Sequence, residues 1–250
     1  MTLRVIEAGW PAPANVVAFT TTRRGGHSRG PYASFNLGHH VGDQPDAVSA
    51  NRLQLQQQLP AGCEVQWLNQ VHGTEVTAAT GHGLPEADAS VAAEPGVASA
   101  VLTADCLPVL FCDRSGTCVA AAHAGWRGLQ AGVLEATVAA LPAAADDLLA
   151  WMGPAIGPSA FEVGPEVREA FLAVLADRSS PAALTTCFRP SSKAGHYLAD
   201  LYALARLHLK SVGVSAIYGG EHCTFTEAED FFSYRRDGET GRMASVIALL

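Results

Sequence analysis

The chain has 250 residues, 48% of them hydrophobic, with a formal net charge of −8. This composition excludes disorder and gives length enough to bury a substantial core, while the acidic balance argues against a nucleic-acid partner, which asks for a basic face. No apolar run approaches the ~18 residues that span a membrane, and Met1-Thr2-Leu3-Arg4 leads into Val5-Ile6-Glu7-Ala8 without a signal-peptide core, so a cytoplasmic protein with no membrane partner is expected.

In chain order, residues 16–20 read as a strand followed by a glycine-rich turn, Arg23-Arg24-Gly25-Gly26-His27-Ser28. Asp46 is placed to cap a helix running to about Leu59, with Val48, Leu53, Leu55 and Leu59 on its inner face. Residues 65–68 form a strand that delivers Asn69, Gln70 and His72. Residues 98–103 and 107–112 are two buried strands separated by Ala104-Asp105-Cys106, and residues 118–122 are a third that ends at His123. Residues 128–141 predict one helix, because Leu129, Val133, Leu134, Val138 and Leu141 recur at three- and four-residue spacing. A strand at 148–152 precedes the Gly153-Pro154-Ala155-Ile156-Gly157-Pro158 turn, and Pro165 opens a helix to about Ala176. The 141–145 and 181–186 stretches read as loops or helix ends. Asp200 caps the next helix and Gly213 ends it, and strands at 214–218 and 243–249 close the chain. Strands and helices interleave without strict alternation, which predicts one α+β domain with mixed sheets. No GxGxxG run or P-loop is present.

Three residues carry the chemistry of this pattern. His72, Cys106 and His123 each fall where an apolar run meets a polar or glycine-containing break, so neighbouring strand ends can bring them to one point. Two imidazoles and a thiolate can hold zinc and leave its fourth position open, which is the arrangement of a catalytic ion. The same residue types also serve as buried thiols and solvated imidazoles, or as a metal-free Cys106–His123 nucleophile and base. Asp105 can orient a ligand imidazole or move a proton. His39-His40 is a competing metal candidate without a nearby thiolate. The Arg23–Ser28 turn, with Arg127 at a helix start, offers guanidinium and hydroxyl groups to an anion. None of the six cysteines forms a CxxC pair, and Cys112 and Cys118, on either side of a hairpin turn, read as buried thiols.

Several longer runs, Asn69-Gln70-Val71-His72-Gly73, Ala87-Asp88-Ala89, Thr103-Ala104-Asp105-Cys106-Leu107-Pro108 and Ala122-His123-Ala124-Gly125-Trp126-Arg127-Gly128 among them, resemble the YfiH family, also called laccase-domain or multicopper polyphenol oxidase family proteins. Thr21–Ser28, Asn36-Leu37-Gly38, Asn51-Arg52 and Phe232–Asp237 extend the likeness over nearly the whole chain. The resemblance implies a layered α/β/β/α domain of the CNF/YfiH-like type, with helices outside the packed sheets. It implies that His72, Cys106 and His123 ligate zinc; copper, which outbinds zinc at most such sites, is able to substitute. It further implies phosphorolysis of purine nucleosides (adenosine, inosine, guanosine, methylthioadenosine) to the base and a pentose 1-phosphate, and adenosine deamination. Some bacterial members are linked to peptidoglycan precursor editing. On this reading Arg23, Arg24, Ser28 and Arg127 are candidates for phosphate, and Asn36, Asn69 and Asp105 for sugar or base contacts and proton transfer; the chain is expected as a monomer or weak homodimer. The laccase name suggests copper oxidation of phenols, but a trinuclear copper site is built from His-x-His pairs, and the nine histidines include none.

Overall fold

The alternation of side chains along the apolar strands sets the architecture. In the C-terminal strand Met243–Leu249, Ala244, Val246 and Ala248 enter one core and Ile247 and Leu249 another. A strand buried on both faces must lie between two layers. The computed structural model, which describes residues 3–177 and 180–250, shows those layers. Met1 and Thr2, at the start where no signal-peptide core is expected, lie outside the described residues.

A five-stranded sheet runs in the order β1 (Val5–Glu7), β2 (Val16–Thr21), β14 (Met243–Leu249), β6 (Val97–Thr103) and β3 (Glu64–Gln66). A six-stranded sheet runs β13 (Ala216–Gly219), β9 (Leu148–Met152), β7 (Leu107–Asp113), β8 (Val119–Ala124), β5 (Ala89–Ala92) and β4 (Val76–Ala78). Most pairs are antiparallel, while β3–β6, β4–β5 and β9–β13 are parallel, so both sheets are mixed. Val101, Leu110, Val119, Ala121, Trp151 and Ile247 fill the seam between them. On the far side of the six-stranded sheet, Leu107, Val109, Phe111, Ala120 and Ala122 pack against α2 (Trp126–Ala131), α3 (Val133–Ala140), α4 (Pro165–Leu175) and α6 (Leu201–Ser211). Helix α1 (Pro45–Gln56) covers the other sheet through Leu55. A small sheet of β10 (Glu162–Val163), β12 (Tyr197–Ala199) and β11 (Phe188–Pro190), with α5 (Pro181–Thr186) and α7 (Tyr234–Asp237), completes the described residues. The result is the expected α+β, α/β/β/α layering, and no described helix is long and apolar enough to cross a membrane.

Four local expectations are corrected. The helix expected over 128–141 is two helices, broken at Gly132, whose φ of +103° suits a residue without Cβ. Asp46 lies in the first turn of α1 and is not its cap, since Gln44 precedes Pro45 at N1. Leu53 points outward, 67% exposed, while Val48 and Leu55 are buried. Residues 181–186 form a helix because the Ser180 hydroxyl accepts from the Ala183 N–H and Pro181 occupies its first turn. Asp200 caps α6 as expected, accepting from the Ala203 N–H.

The two sheets are joined by chain crossings at one end of the seam. The segment between β3 and β4 passes from one sheet to the other, and so does the short turn between β6 and β7. His72 lies in the first crossing, Cys106 in the second, and His123 near the end of β8.

Candidate metal centre

His123 follows the two-residue period of β8 into the seam and is 3% exposed. Its Nδ1 lies 2.7 Å from Asp88 Oδ1, and its backbone N–H donates to the Asp88 carbonyl at 2.7 Å. Asp88, fully buried at the start of β5, also accepts three backbone amides from the His72 turn: Val71 at 3.2 Å, His72 at 3.0 Å and Gly73 at 2.6 Å. One carboxylate therefore fixes the ring of one histidine and the backbone of the other. With Nδ1 engaged, His123 presents Nε2 to a metal, the usual division between ligand and supporting acid.

The other two donors sit on unusual backbone. His72 has φ +61° and Asp105 has φ +88°, a left-handed region that side chains enter only when neighbours enforce it. For His72 the enforcement is the Asp88 cradle. For Asp105 it is a clamp: Oδ1 accepts from Thr224 Oγ1 and Oδ2 from the Arg235 N–H, both at 2.6 Å, while the Asp105 carbonyl accepts from the Ile156 N–H at 2.9 Å. The turn so held puts Cys106 Sγ 3.8 Å from His72 Nε2. The His72 and His123 rings meet edge to face, with centroids 4.8 Å apart. One ligand atom from each of the three residues lies within 4.8 Å of the others. Donors around a tetrahedral zinc ion stand about 3.5 Å apart, so the set fits such an ion after small side-chain adjustment.

The glycines of the His-Ala-Gly-Trp-Arg-Gly run make this convergence fit. A Cβ on Gly125 would lie 2.7 Å from His72 Cδ2 and 3.1 Å from Cys106 Sγ, and one on Gly128 would lie 2.9 Å from the Gly73 carbonyl oxygen. Electrostatics favour the ligand-competent thiolate. Burial pushes the Cys106 thiol up, but His123 and His72 beside it outweigh burial and bring it down to about 6. Burial likewise disfavours a charged His123, yet Cys106 and Asp88 raise it to about 9. Asp88 stays below the usual carboxylate range despite burial, through the bonds from His123 and the Gly73 amide.

The trio opens on a cavity of about 590 Å³, within the usual range for small-molecule sites. Asn69 lines it, as do Gln70, Leu84 and Tyr234. Asn36 lies behind the wall, fully buried, where its Oδ1 accepts the Gly38 and Arg242 amides and its Nδ2 donates to Asp43. The remaining anion candidates are elsewhere. Arg24 pairs with Glu229 and Asp230, Arg23 lies over the Phe232 ring, Ser28 is buried against Asn51, and Arg127 lies over the Trp126 ring. His39 and His40 reach the cavity but not the ligand cluster.

Three residues of this site carried no assigned role in the sequence reading. Asp88 stands in Ala87-Asp88-Ala89, and its signal is an acid at the mouth of an apolar strand. Arg52 stands in Asn51-Arg52, on α1, while Arg242 has only its place before the apolar strand β14. Both arginines line the cavity.

The model of a family described as "Multi-copper polyphenol oxidoreductase laccase" matches residues 17–250. An Escherichia coli (strain K12) protein named "Purine nucleoside phosphorylase YfiH" is 54% identical over 249 residues, covering 99% of each chain. The crystal structure of a Neisseria meningitidis protein of family DUF152 superposes with a TM-score of 0.92 at 56% identity, covering 98% of both chains. That of YlmD from Geobacillus stearothermophilus superposes with a TM-score of 0.87 at 35% identity, covering 96% of this chain and 94% of that one. With the match spanning both sheets and all three metal-ligand candidates, the chain belongs to the YfiH family of laccase-domain proteins.

Proposed function

We propose that this protein is a zinc-dependent purine nucleoside phosphorylase that also deaminates adenosine, with His72, Cys106 and His123 as the metal ligands. The observation that carries the reading is the pairing of that His₂Cys set with a cavity large enough for a nucleoside, in a chain half identical to relatives named for this activity. Two large apolar side chains that the fold leaves exposed, Leu84 (61%) and Tyr234 (62%), stand on the same wall, where a purine face can pack. The six free cysteines support a reducing, cytoplasmic setting.

In phosphorolysis a phosphate oxygen bonds to the anomeric carbon and the carbon–nitrogen bond breaks. The electron pair goes to the purine nitrogen, and the phosphate's proton ends on the base. A zinc ion would supply Lewis-acid stabilisation of negative charge at the cavity wall. The chain's own part is positioning. Asp88 orients His123 and the His72 turn; Asp105, both oxygens engaged, holds the turn bearing Cys106; Asn69 is available to the sugar or base. Copper oxidation of phenols asks for several coppers. Among the described residues only one group of three ligand-type side chains converges, which favours the nucleoside reading.

The test is incubation of the zinc-loaded protein with adenosine, with and without phosphate, and chromatography of the products. Adenine released only with phosphate is the expected result, and inosine marks the deaminase reaction. Neither product from fully zinc-loaded protein would overturn the reading, as would stoichiometric copper and little zinc in protein purified without added metal.

A further inference from the structure

We infer that Arg52 and Arg242 form the phosphate seat of the cavity, holding an oxyanion beside the metal ligands. The inference rests on the phosphorylase reading and names the residues that receive its second substrate.

In a chain with a net charge of −8, an arginine readily finds a carboxylate, and Arg4, Arg24 and Arg236 each do. Asp105 acts on Arg242 from farther off, with both oxygens engaged by Thr224 and Arg235, and among the described residues neither Arg52 nor Arg242 has a carboxylate within ion-pair distance. Both are half-buried on the cavity wall, where burial disfavours the charged guanidinium and brings Arg52 down to about 10. An unpaired cation out of water is costly, and an oxyanion from solution removes that cost.

Both side chains are also held in place. Arg52 donates from Nε to the Leu37 carbonyl at 2.9 Å, and its guanidinium lies 3.9 Å over the Trp67 ring. Arg242 donates from Nη1 to the carbonyls of Thr240 and Gly241, each at 3.0 Å. Gly38 makes room for it, since a Cβ there would lie 2.9 Å from Arg242 Cγ. One edge of each guanidinium is thus anchored to backbone. The Nη groups of Arg52, and Nε and Nη2 of Arg242, have no partner among the described residues. Two such forks match the oxygens of a phosphate, and their planarity makes lysine a poor substitute. Both guanidiniums line the same cavity as His72, Cys106 and His123. The seat therefore adjoins the trio, where a phosphate oxygen must lie to attack a nucleoside bound against it.

The experiment compares zinc-loaded wild type with Arg52→Gln, Arg242→Gln, both Lys variants and Arg24→Gln. Calorimetry with inorganic phosphate, without nucleoside, gives affinity independently of turnover; steady-state kinetics give the KM of each substrate. The expected result is a phosphate affinity lowered about 10- to 100-fold in each Gln variant, partly recovered in the Lys variants, with zinc content unchanged. Phosphate KM should rise in parallel while nucleoside KM moves by less than about threefold. Unchanged phosphate affinity in the folded Gln variants would overturn the assignment, as would a loss confined to Arg24→Gln. If one Gln variant fails to fold, its Lys counterpart and the other Gln variant decide. Phosphate binding that depends on both arginines in a protein that never releases a base would sustain the seat and sink the phosphorylase. Base release indifferent to both would do the reverse.

Discussion

Arg24 and Arg242 both sit beside glycines, and they end in different company. Arg24, in the Arg23–Ser28 turn, gives Nε to Asp230 and Nη2 to Glu229, at 2.7 and 2.8 Å. Arg23 beside it donates to the carbonyls of Ala33, in the same loop, and Ala228, far away in the chain. The turn's glycine serves packing: a Cβ on Gly26 would strike the Ser34 carbonyl oxygen at 2.3 Å. Arg242 has one edge on backbone carbonyls, no carboxylate within ion-pair distance among the described residues, and a metal-ligand cavity in front of it. The difference shows that an arginine's availability to a ligand depends on whether the fold supplies its counter-charge. That counter-charge comes here from residues about two hundred positions away, which no local motif contains.

The contrast between an outer turn that is internally satisfied and an inner wall poised for ligands can be tested in order of effect. Cys106→Ala should cost about a thousandfold in phosphorolysis and abolish stoichiometric zinc, read by metal analysis and initial rates. A variant that keeps zinc and rate would remove the inner wall's claim to chemistry. Asp88→Asn should weaken zinc about 10- to 100-fold in competition with a chromophoric chelator; unchanged affinity would mean that the cradle does not set the ligands. Gly125→Ala, at a φ of −59° that alanine accepts, tests space alone. It should push His72 from Cys106 and cost about 1–3 kcal/mol, visible as lower zinc affinity. Arg24→Gln should leave phosphate affinity alone and shift thermal stability only within the scatter of surface substitutions.

The pH response of the metal-free protein sharpens the same contrast. With its thiol lowered to about 6, Cys106 contributes stability that is complete above the ordinary thiol range and lost as pH falls through about 6. His123, raised to about 9, contributes stability that is complete below the ordinary imidazole range and lost as pH rises through about 9. The thiolate–imidazolium pair is thus populated between those values. Alkylation of Cys106 in metal-free protein should have its midpoint near pH 6, and zinc should protect it. A midpoint in the ordinary thiol range would show that the two histidines do not act on it.

Much of this was legible in the sequence, for identifiable reasons. The strand at 148–152 was readable because its apolar run lies between Asp147 and Gly153, and that at 243–249 because its apolar run starts sharply after Arg242. The meeting of His72, Cys106 and His123 was readable because all three stand in specific runs at strand ends. The break at Gly132 was not, since Leu129, Val133, Leu134 and Val138 stay buried on one side through it, and periodicity is blind to a single left-handed residue. Asp88 was not, because an acid before an apolar strand looks the same whether it meets solvent or four hydrogen bonds. Arg52 and Arg242 lie 190 positions apart and are linked through Leu37, whose carbonyl accepts from Arg52 Nε and whose N–H donates to the Arg242 carbonyl.

The Asp88 cradle also bears on how a solvent-facing loop behaves in time. Val71 and His72 are exposed, yet their amide protons, with that of Gly73, point into a fully buried carboxylate. Surface loops ordinarily exchange these protons at the rate of local fraying. Here exchange requires breaking the contact that also orients His123, so the three amides should exchange as slowly as those of the neighbouring strands. They would serve as isotopic reporters of when the whole corner opens.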